Sequence, residues 1–312
     1  MEVFKYVLAH PAHGLVKSRI GGGYVATLYN TKTKELVEID LVGITDTLRA
    51  VVWPNYVYKY VAPPKPQPQR VPNKKFGKAK KTSRRRRNTL KHKQNVGRAT
   101  GTLVHDQLQL YINIMDFVAQ GPQNSEQRLG HFMNAIKQTG AKNNQLHACT
   151  ASILETMRDT WGWLPLAAEF CVGDLLNKQK HATAIDLVAC QYYEPGAAAP
   201  KRQPGPWNTK RLILCELKTG YNNASFMRDN GDLEFIPGVS NSPCHQAMVQ
   251  LVWGAEFFRT TFGLSREALQ LFVIHATTDC AETTQTSQVY LHPVSEDLYS
   301  QIVSGLRRAG LL

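Results

Sequence analysis

Hydrophobic and polar positions alternate in three early runs, GGGYVATLYN, KELVEIDLVGI and RAVVWPNYVYKYV, all within residues 1–62. Aromatic and β-branched residues at every second position bury one face of a pleated strand, so these runs predict antiparallel strands in a small β-rich N-terminal appendage. The pattern changes after residue 98, where GTLVHDQLQLYINIMDFVAQG sets Leu103, Leu108, Ile112 and Met115 among apolar positions at mixed spacings of three and four. That spacing predicts an amphipathic helix. A second helix is expected over NNQLHACTASILETMRDTWG, followed by three short apolar strands: LPLAAEFCVG, ATAIDLVACQYY and RLILCELKTGY. Pro and Gly make the intervening EPGAAAPKRQPGPWNTK a loop. SPCHQAMVQLVWGAEFFRTTFG reads as a long helix, ALQLFVIHATT and SQVYLHPV as two more strands, and SEDLYSQIVSGLRRAG as a closing helix. The order describes a mixed α/β core over residues 99–312.

Composition adds a bias in charge. The 312 residues are 43% hydrophobic and include 12 Tyr, 11 Phe and 5 Trp, enough for a sizeable core, which excludes wholesale disorder. The formal charge of +13 favours polyanionic partners. Of 37 Lys and Arg, 14 lie between Lys65 and Arg98, where there is no acidic residue, leaving 23 basic against 24 acidic residues elsewhere. Residues 63–98, rich in Pro and uncompensated positive charge, therefore predict a disordered linker. Within it, Lys74, Lys75, Lys78, Lys80, Lys81, Arg84, Arg85, Arg86 and Arg87 are the expected DNA-binding residues. The same run reads as a nuclear-import signal, or as a solvated tail without import. No window approaches the roughly 18 apolar residues a bilayer span needs, and the start lacks signal-peptide order. A soluble intracellular protein without membrane contact, placed in the nucleus by its basic run, is the expectation. The six cysteines are scattered without a CxxC pair, which predicts buried reduced thiols and gives no support to a zinc ribbon.

The chemistry-bearing constellation is Asp186 on one strand and Glu216-Leu217-Lys218 on another. Two residues apart on a strand, Glu216 and Lys218 share a face while Leu217 points into the core. Two carboxylates brought together by strand pairing can hold a hard divalent cation through oxygen ligands, with positions left for water and a phosphate oxygen. Lys218 would then align the water and offset charge on the transition state. An E-x-K triplet alone is a weak signal, and a surface ion pair is the plain alternative. Here, however, LILC precedes it and Thr-Gly follows, so charge interrupts an otherwise buried strand.

In order and kind, GTLVHDQL, AAEF, ATAIDLV, ILCELKTG and CHQAMVQL resemble the PD-(D/E)XK nuclease superfamily in its RecB-like, lambda-type exonuclease branch, over roughly 101–295. The resemblance implies a restriction-endonuclease-like mixed sheet flanked by helices. It also implies Asp186 and Glu216 as metal ligands and Lys218 as the catalytic lysine, with His105, in Gly101-Thr-Leu-Val-His105, as a further ligand. Glu169 corresponds to the acidic residue that precedes the central motif and sets metal or water geometry. The family's later Q-x-x-x-Y helix is only partly matched, because Gln246 is followed four positions on by Gln250, and either glutamine can take the substrate-facing role. Two departures stand out. Asp186 and Glu216 are 30 residues apart, which the 194–210 loop explains as an insertion, with Lys201, Arg202, Lys210 and Arg211 available to DNA. The clustered cysteines that bind an iron–sulfur cluster in some relatives are missing, so no cluster is expected.

The implied function is a Mg²⁺-dependent deoxyribonuclease, with Mn²⁺ as substitute, trimming DNA ends in recombination, repair or viral genome processing. DNA, a recombination or replication protein and the nuclear-import machinery are the expected partners. A catalytically silent nucleic-acid-binding scaffold and a structure-selective endonuclease are the alternatives, since exonuclease and endonuclease share the same in-line water attack.

Overall fold

A computed structural model describes residues 2–19, 23–51, 99–113, 146–175, 180–191, 211–221, 223–281 and 284–312. Its centre is an eight-stranded mixed sheet covered by helices on both faces. The strands are β1 (Val16–Ser18), β2 (Tyr24–Asn30), β3 (Glu35–Gly43), β4 (Trp163–Gly173), β5 (His181–Gln191) and β6 (Leu212–Thr219), followed by a separate β7 (Asp232–Leu233) and β8 (Ile236–Ser240) hairpin, then β9 (Leu269–Ala281) and β10 (Thr284–Pro293). The sheet order is β1-β2-β3-β5-β6-β9-β10, with β4 against the second edge of β5. Strand β6 lies between antiparallel β5 and parallel β9. Its alternate residues enter different cores, Leu212 and Leu214 on one side and Ile213, Cys215 and Leu217 on the other. A strand buried on both faces needs the unbroken apolar run LILC.

Two helical layers fix the sheet. Residues 99–113 (α3) and Ala148–Thr156 (α4) cover one face, where Val104, Leu108, Ile112, Cys149 and Ile153 meet Leu187, Ala189, Ile213 and Cys215. Pro243–Phe262 (α6) covers the other face, packing Val249, Val252 and Trp253 with Ile185, Val188, Leu212 and Leu214. Ser242 caps this helix by accepting the His245 N–H, and Pro243 occupies its first turn, where a missing N–H costs nothing. Close approach requires Gly254. A Cβ there would stand 2.8 Å from Ile185 Cδ1 and 2.9 Å from Thr183 Cγ2, so a side chain would force these two residues or the helix to shift. The short α5 (Asn223–Phe226) and the closing α7 (Glu296–Arg308) complete the helices of the C-terminal part.

The N-terminal segment differs from the expected β-rich appendage in two ways. It contains two helices, α1 (Glu2–Ala9) and α2 (Ile44–Val51), and its strands join the main sheet through parallel pairing of Val42 and Gly43 with His181 and Ala182. The start of RAVVWPNYVYKYV, expected as strand, ends α2, because Ile44 and Leu48 are four apart and both fully buried, a helical rather than a strand spacing. Phe4, Val7, Ile44 and Leu48 all belong to the core beneath α6. The polar stretch between β6 and α6, read as loop, contains α5 and the β7–β8 hairpin. The expected strands over 164–173, 182–193, 211–221, 268–278 and 287–294 and the helices over 242–263 and 295–310 coincide with observed elements to within a few residues. The expected linker over 63–98 and the 194–210 loop lie outside the described residues.

Candidate metal centre

The centre forms where β5 lacks a neighbour. Along one edge β5 pairs with β4 from Ala182 to Gln191. Along the other it meets β3 only at His181 and Ala182 and β6 only at Leu187–Ala189. Among the described residues, Thr183–Asp186 have no strand on that edge. Past the Leu187–Cys215 pair, β6 therefore runs on through Glu216, Leu217 and Lys218 unpaired with β5. A backbone donor left at such a fork needs an acceptor. The Leu217 N–H donates to Asp186 Oδ2 at 2.6 Å, a short, charge-assisted bond.

Strand β4 brings the second carboxylate. Ala168 pairs with Leu187 and Phe170 with Ile185, which sets Glu169 beside Asp186. Glu169 has φ 50°, in the left-handed region, which costs a non-glycine residue on the order of 1–3 kcal/mol. The reversal changes which face the strand presents. Phe170 and Val172 pack into the core under α6, whereas Ala168, which shares their parity, packs into the core under α3. His105 arrives from α3, whose buried Val104 and Leu108 seat that helix on the sheet. The imidazole Nδ1–H donates to Glu169 Oε1 at 2.8 Å, and the same nitrogen is 3.8 Å from Asp186 Oδ1. One ligand atom each from His105, Glu169 and Asp186 lies within 4.8 Å of the other two.

Glu216 stands outside that trio. Its carboxylate, 3% exposed, accepts from Lys218 Nζ two residues on. The two were expected to share a face, and they do so as a contact pair. The expected ligand set was His105, Asp186 and Glu216; the structure places Glu169 beside His105 and Asp186, while Glu216 holds the lysine.

Burial and crowding set the electrostatics. Burial alone would lower the His105 pKa, but the Asp186 charge and the hydrogen bond to Glu169 outweigh it and raise the imidazole to about 9. Burial pushes the Asp186 carboxyl up against the opposing pull of His105 and Lys218. Burial, reinforced by the Asp186 charge, lifts Glu216 to about 7. Lys218 is also buried, which favours its neutral form, yet Glu216 and Asp186 more than compensate and keep it charged. Three carboxylates close together against two cations leave a site short of positive charge, as a cation site should be.

The remaining site candidates are dispersed. Gln250 Nε2 donates to Thr45 Oγ1 of α2 at 2.9 Å, and Gln246 Nε2 donates to Asn241 Oδ1 at 2.7 Å. Both amides are thus engaged with neighbouring elements and not with the trio. Lys74, Lys75, Lys78, Lys80, Lys81, Arg84, Arg85, Arg86 and Arg87, with Lys201, Arg202 and Lys210, lie outside the described residues; Arg211 is exposed at the start of β6. Cys149, Cys190, Cys215 and Cys244 are buried free thiols and Cys171 is half-buried. No helix among the described residues is long and apolar enough to cross a membrane. Sequence reasoning passed over Tyr24, whose hydroxyl reaches β5 beside Asp186; the only trace of it is an aromatic in the alternating run GGGYVATLYN. No protein-family model matches the chain, and no similar curated protein or solved structure was found.

Proposed function

We propose that the chain is a divalent-metal-dependent DNA nuclease with a restriction-endonuclease-like core, acting as an exonuclease in recombination, repair or viral genome processing. The observation that carries this reading is the convergence of His105, Glu169 and Asp186 within 4.8 Å beside a buried Glu216–Lys218 pair. One imidazole nitrogen and two carboxylate oxygens suit Mg²⁺ or Mn²⁺, and the surplus of negative charge suits a dication. When bound, such an ion supplies Lewis-acid stabilisation of phosphoryl oxygens and a more acidic water.

The chain's own residues do the rest. His105, Glu169 and Asp186 form the holding set, and His105 gives up its proton to serve as a nitrogen donor. Asp186 is locked by the Leu217 N–H, so it is aimed before any ligand arrives. Lys218, kept charged by Glu216, offsets the negative charge that develops on the phosphate in the transition state. The basic run over residues 74–87 supplies affinity for the DNA backbone and a nuclear address.

A second reading is favoured by one specific observation. Each charged group already has an internal partner: His105 has Glu169, Lys218 has Glu216 and Asp186 has the Leu217 N–H. Such a self-satisfied network also suits a silent scaffold that binds nucleic acid. Incubating linear and closed-circular DNA with Mg²⁺ or Mn²⁺ separates the readings. Mononucleotides from linear DNA alone support the exonuclease, nicked circles an endonuclease, and binding without cleavage the scaffold.

A further inference from the structure

We infer that Tyr24, from the N-terminal strand β2, is a positioning residue of the candidate centre, holding the open edge of β5 on which Asp186 sits; what the centre does rests on the nuclease reading above. Among the described residues, β5 has no strand on the edge opposite β4 over Thr183–Asp186, between its contacts with β3 and β6, so backbone donors on that edge face a gap. The Ala184 N–H, two residues before Asp186, donates to the Tyr24 hydroxyl oxygen at 3.1 Å. The next polar link along the gap is the Leu217 N–H on Asp186 Oδ2. Tyr24 thus stands on the β3 side of the fork and Leu217 on the β6 side, and the stretch of β5 that carries the carboxylate is pinned between them.

The ring is itself held. Tyr24 pairs with Ser18 of β1 and Leu41 of β3, and its Cε2 lies 3.6 Å from where a Cβ on Gly43 would stand, next to the β3–β5 junction. Burial, with the Glu169 and Asp186 carboxylates adding to it and the Ala184 N–H opposing it, pushes the phenol up to about 12, so the hydroxyl stays protonated at neutral pH. It accepts from Ala184 and keeps its own proton. An acceptor that fixes the backbone beside a ligand acts as a supporting shell does, and such partners typically change metal affinity or activity about 10–100-fold. The consequence is that the N-terminal strands are part of the centre and not a detachable appendage.

Tyr24→Phe in the full chain tests this, because it keeps the packed ring and removes only the oxygen. Tyr29→Phe is the control, since Tyr29 lies on the same strand but is 59% exposed. Hydrogen exchange and Mn²⁺ affinity without DNA are measured beside cleavage rates. The expected result for Tyr24→Phe is faster exchange, by about 5-fold or more, confined to the peptide spanning 183–186. Mn²⁺ affinity and kcat should each fall about 10-fold, with KM for DNA and the melting temperature unchanged. Tyr29→Phe should behave as wild type in all of these. Exchange at 183–186 equal to wild type overturns the inference, as does faster exchange spread over the whole sheet with a lowered melting temperature, which would make Tyr24 a general packing residue. A wild type that neither cleaves DNA nor binds Mn²⁺ removes the nuclease reading, while the exchange comparison still decides whether Tyr24 holds the edge.

Discussion

The backbone N–H of Leu217 bonds to the carboxylate of Asp186 at 2.6 Å, at the fork where β5 and β6 separate. One contact thereby satisfies a donor that strand pairing leaves open and fixes the direction of a buried acid. It also ties the two halves of the motif together, since Leu217 stands between Glu216 and Lys218. The carboxylate is held up in pKa by burial and would gain from an added positive charge.

Asp186→Asn is expected to fold and to lose cleavage. The amide oxygen can still accept from Leu217, and removing a buried charge beside Glu216 relieves repulsion, so the melting temperature should be equal to or above that of wild type. The charge that would bind a cation is gone. Cleavage at saturating Mg²⁺ should fall by about 100-fold or more, and a rate near wild type would remove Asp186 from the chemistry.

Lys218→Met keeps the aliphatic stem and removes the ammonium. It leaves Glu216, 3% exposed, without its cation, and burial then pushes that carboxyl further up from about 7. A group raised in the folded state binds a proton more readily there, so the variant should lose stability as pH rises through neutrality. Lys218→Met/Glu216→Gln should recover that stability without recovering activity. Recovery of cleavage in the double variant would show Lys218 to be a structural partner only.

How far these features could be read from sequence depends on whether the signal was local. Asp186, Glu216 and Lys218 were legible because charges interrupt the apolar runs ATAI and LILC. His105 and Glu169 came only through a family resemblance. The pairing of Glu169 with His105 depends on a left-handed backbone at Glu169, and nothing in AAEF marks it, since glycine is the usual occupant of that region. At α2, β-branched and aromatic residues make KELVEIDLVGI and RAVVWPNYVYKYV read as two strands, while the burial of Ile44 and Leu48 against α6 selects a helix across their junction. Tyr24 joins the centre across 160 positions to Ala184, a contact set by sheet order alone.

His275 gives a pH dependence of stability separate from catalysis. It is fully buried, stacked on Phe226 with ring centroids 4.0 Å apart, and burial lowers its pKa from 6.5 to about 4. Between these values the unfolded chain binds the proton and the folded chain does not, so protonation favours unfolding. This contribution is complete above about pH 6.5 and is lost progressively as pH falls towards about 4. Urea denaturation should show wild type losing about 2 kcal/mol more than His275→Gln between about pH 7.5 and about pH 5. Parallel curves for the two proteins would mean that His275 is protonated in the fold.

The basic segment is expected to supply affinity and address without chemistry. Fourteen of its residues between Lys65 and Arg98 are Lys or Arg and none is acidic. Each that neutralises a phosphate releases a counterion, so log affinity falls with log salt by roughly 0.9 per contact on duplex DNA. Replacing residues 65–93 by a short Gly/Ser bridge should flatten that salt dependence and slow cleavage at low DNA concentration. The cut must keep everything up to Val51, because Phe4, Val7, Ile44 and Leu48 are core residues and Tyr24 reaches β5. It must also keep α3, which begins at residue 99 and carries His105. With both flanks retained, His105, Glu169, Asp186, Glu216 and Lys218 are untouched, and cleavage at saturating DNA should stay within about twofold of wild type, since phosphate contacts position the DNA without entering the chemical step. In a eukaryotic cell, a fluorescent fusion carrying the same deletion should leave the nucleus. Abolished cleavage at saturating DNA in a folded variant would place the segment in the active site, and an unchanged nuclear signal would refute its role in import.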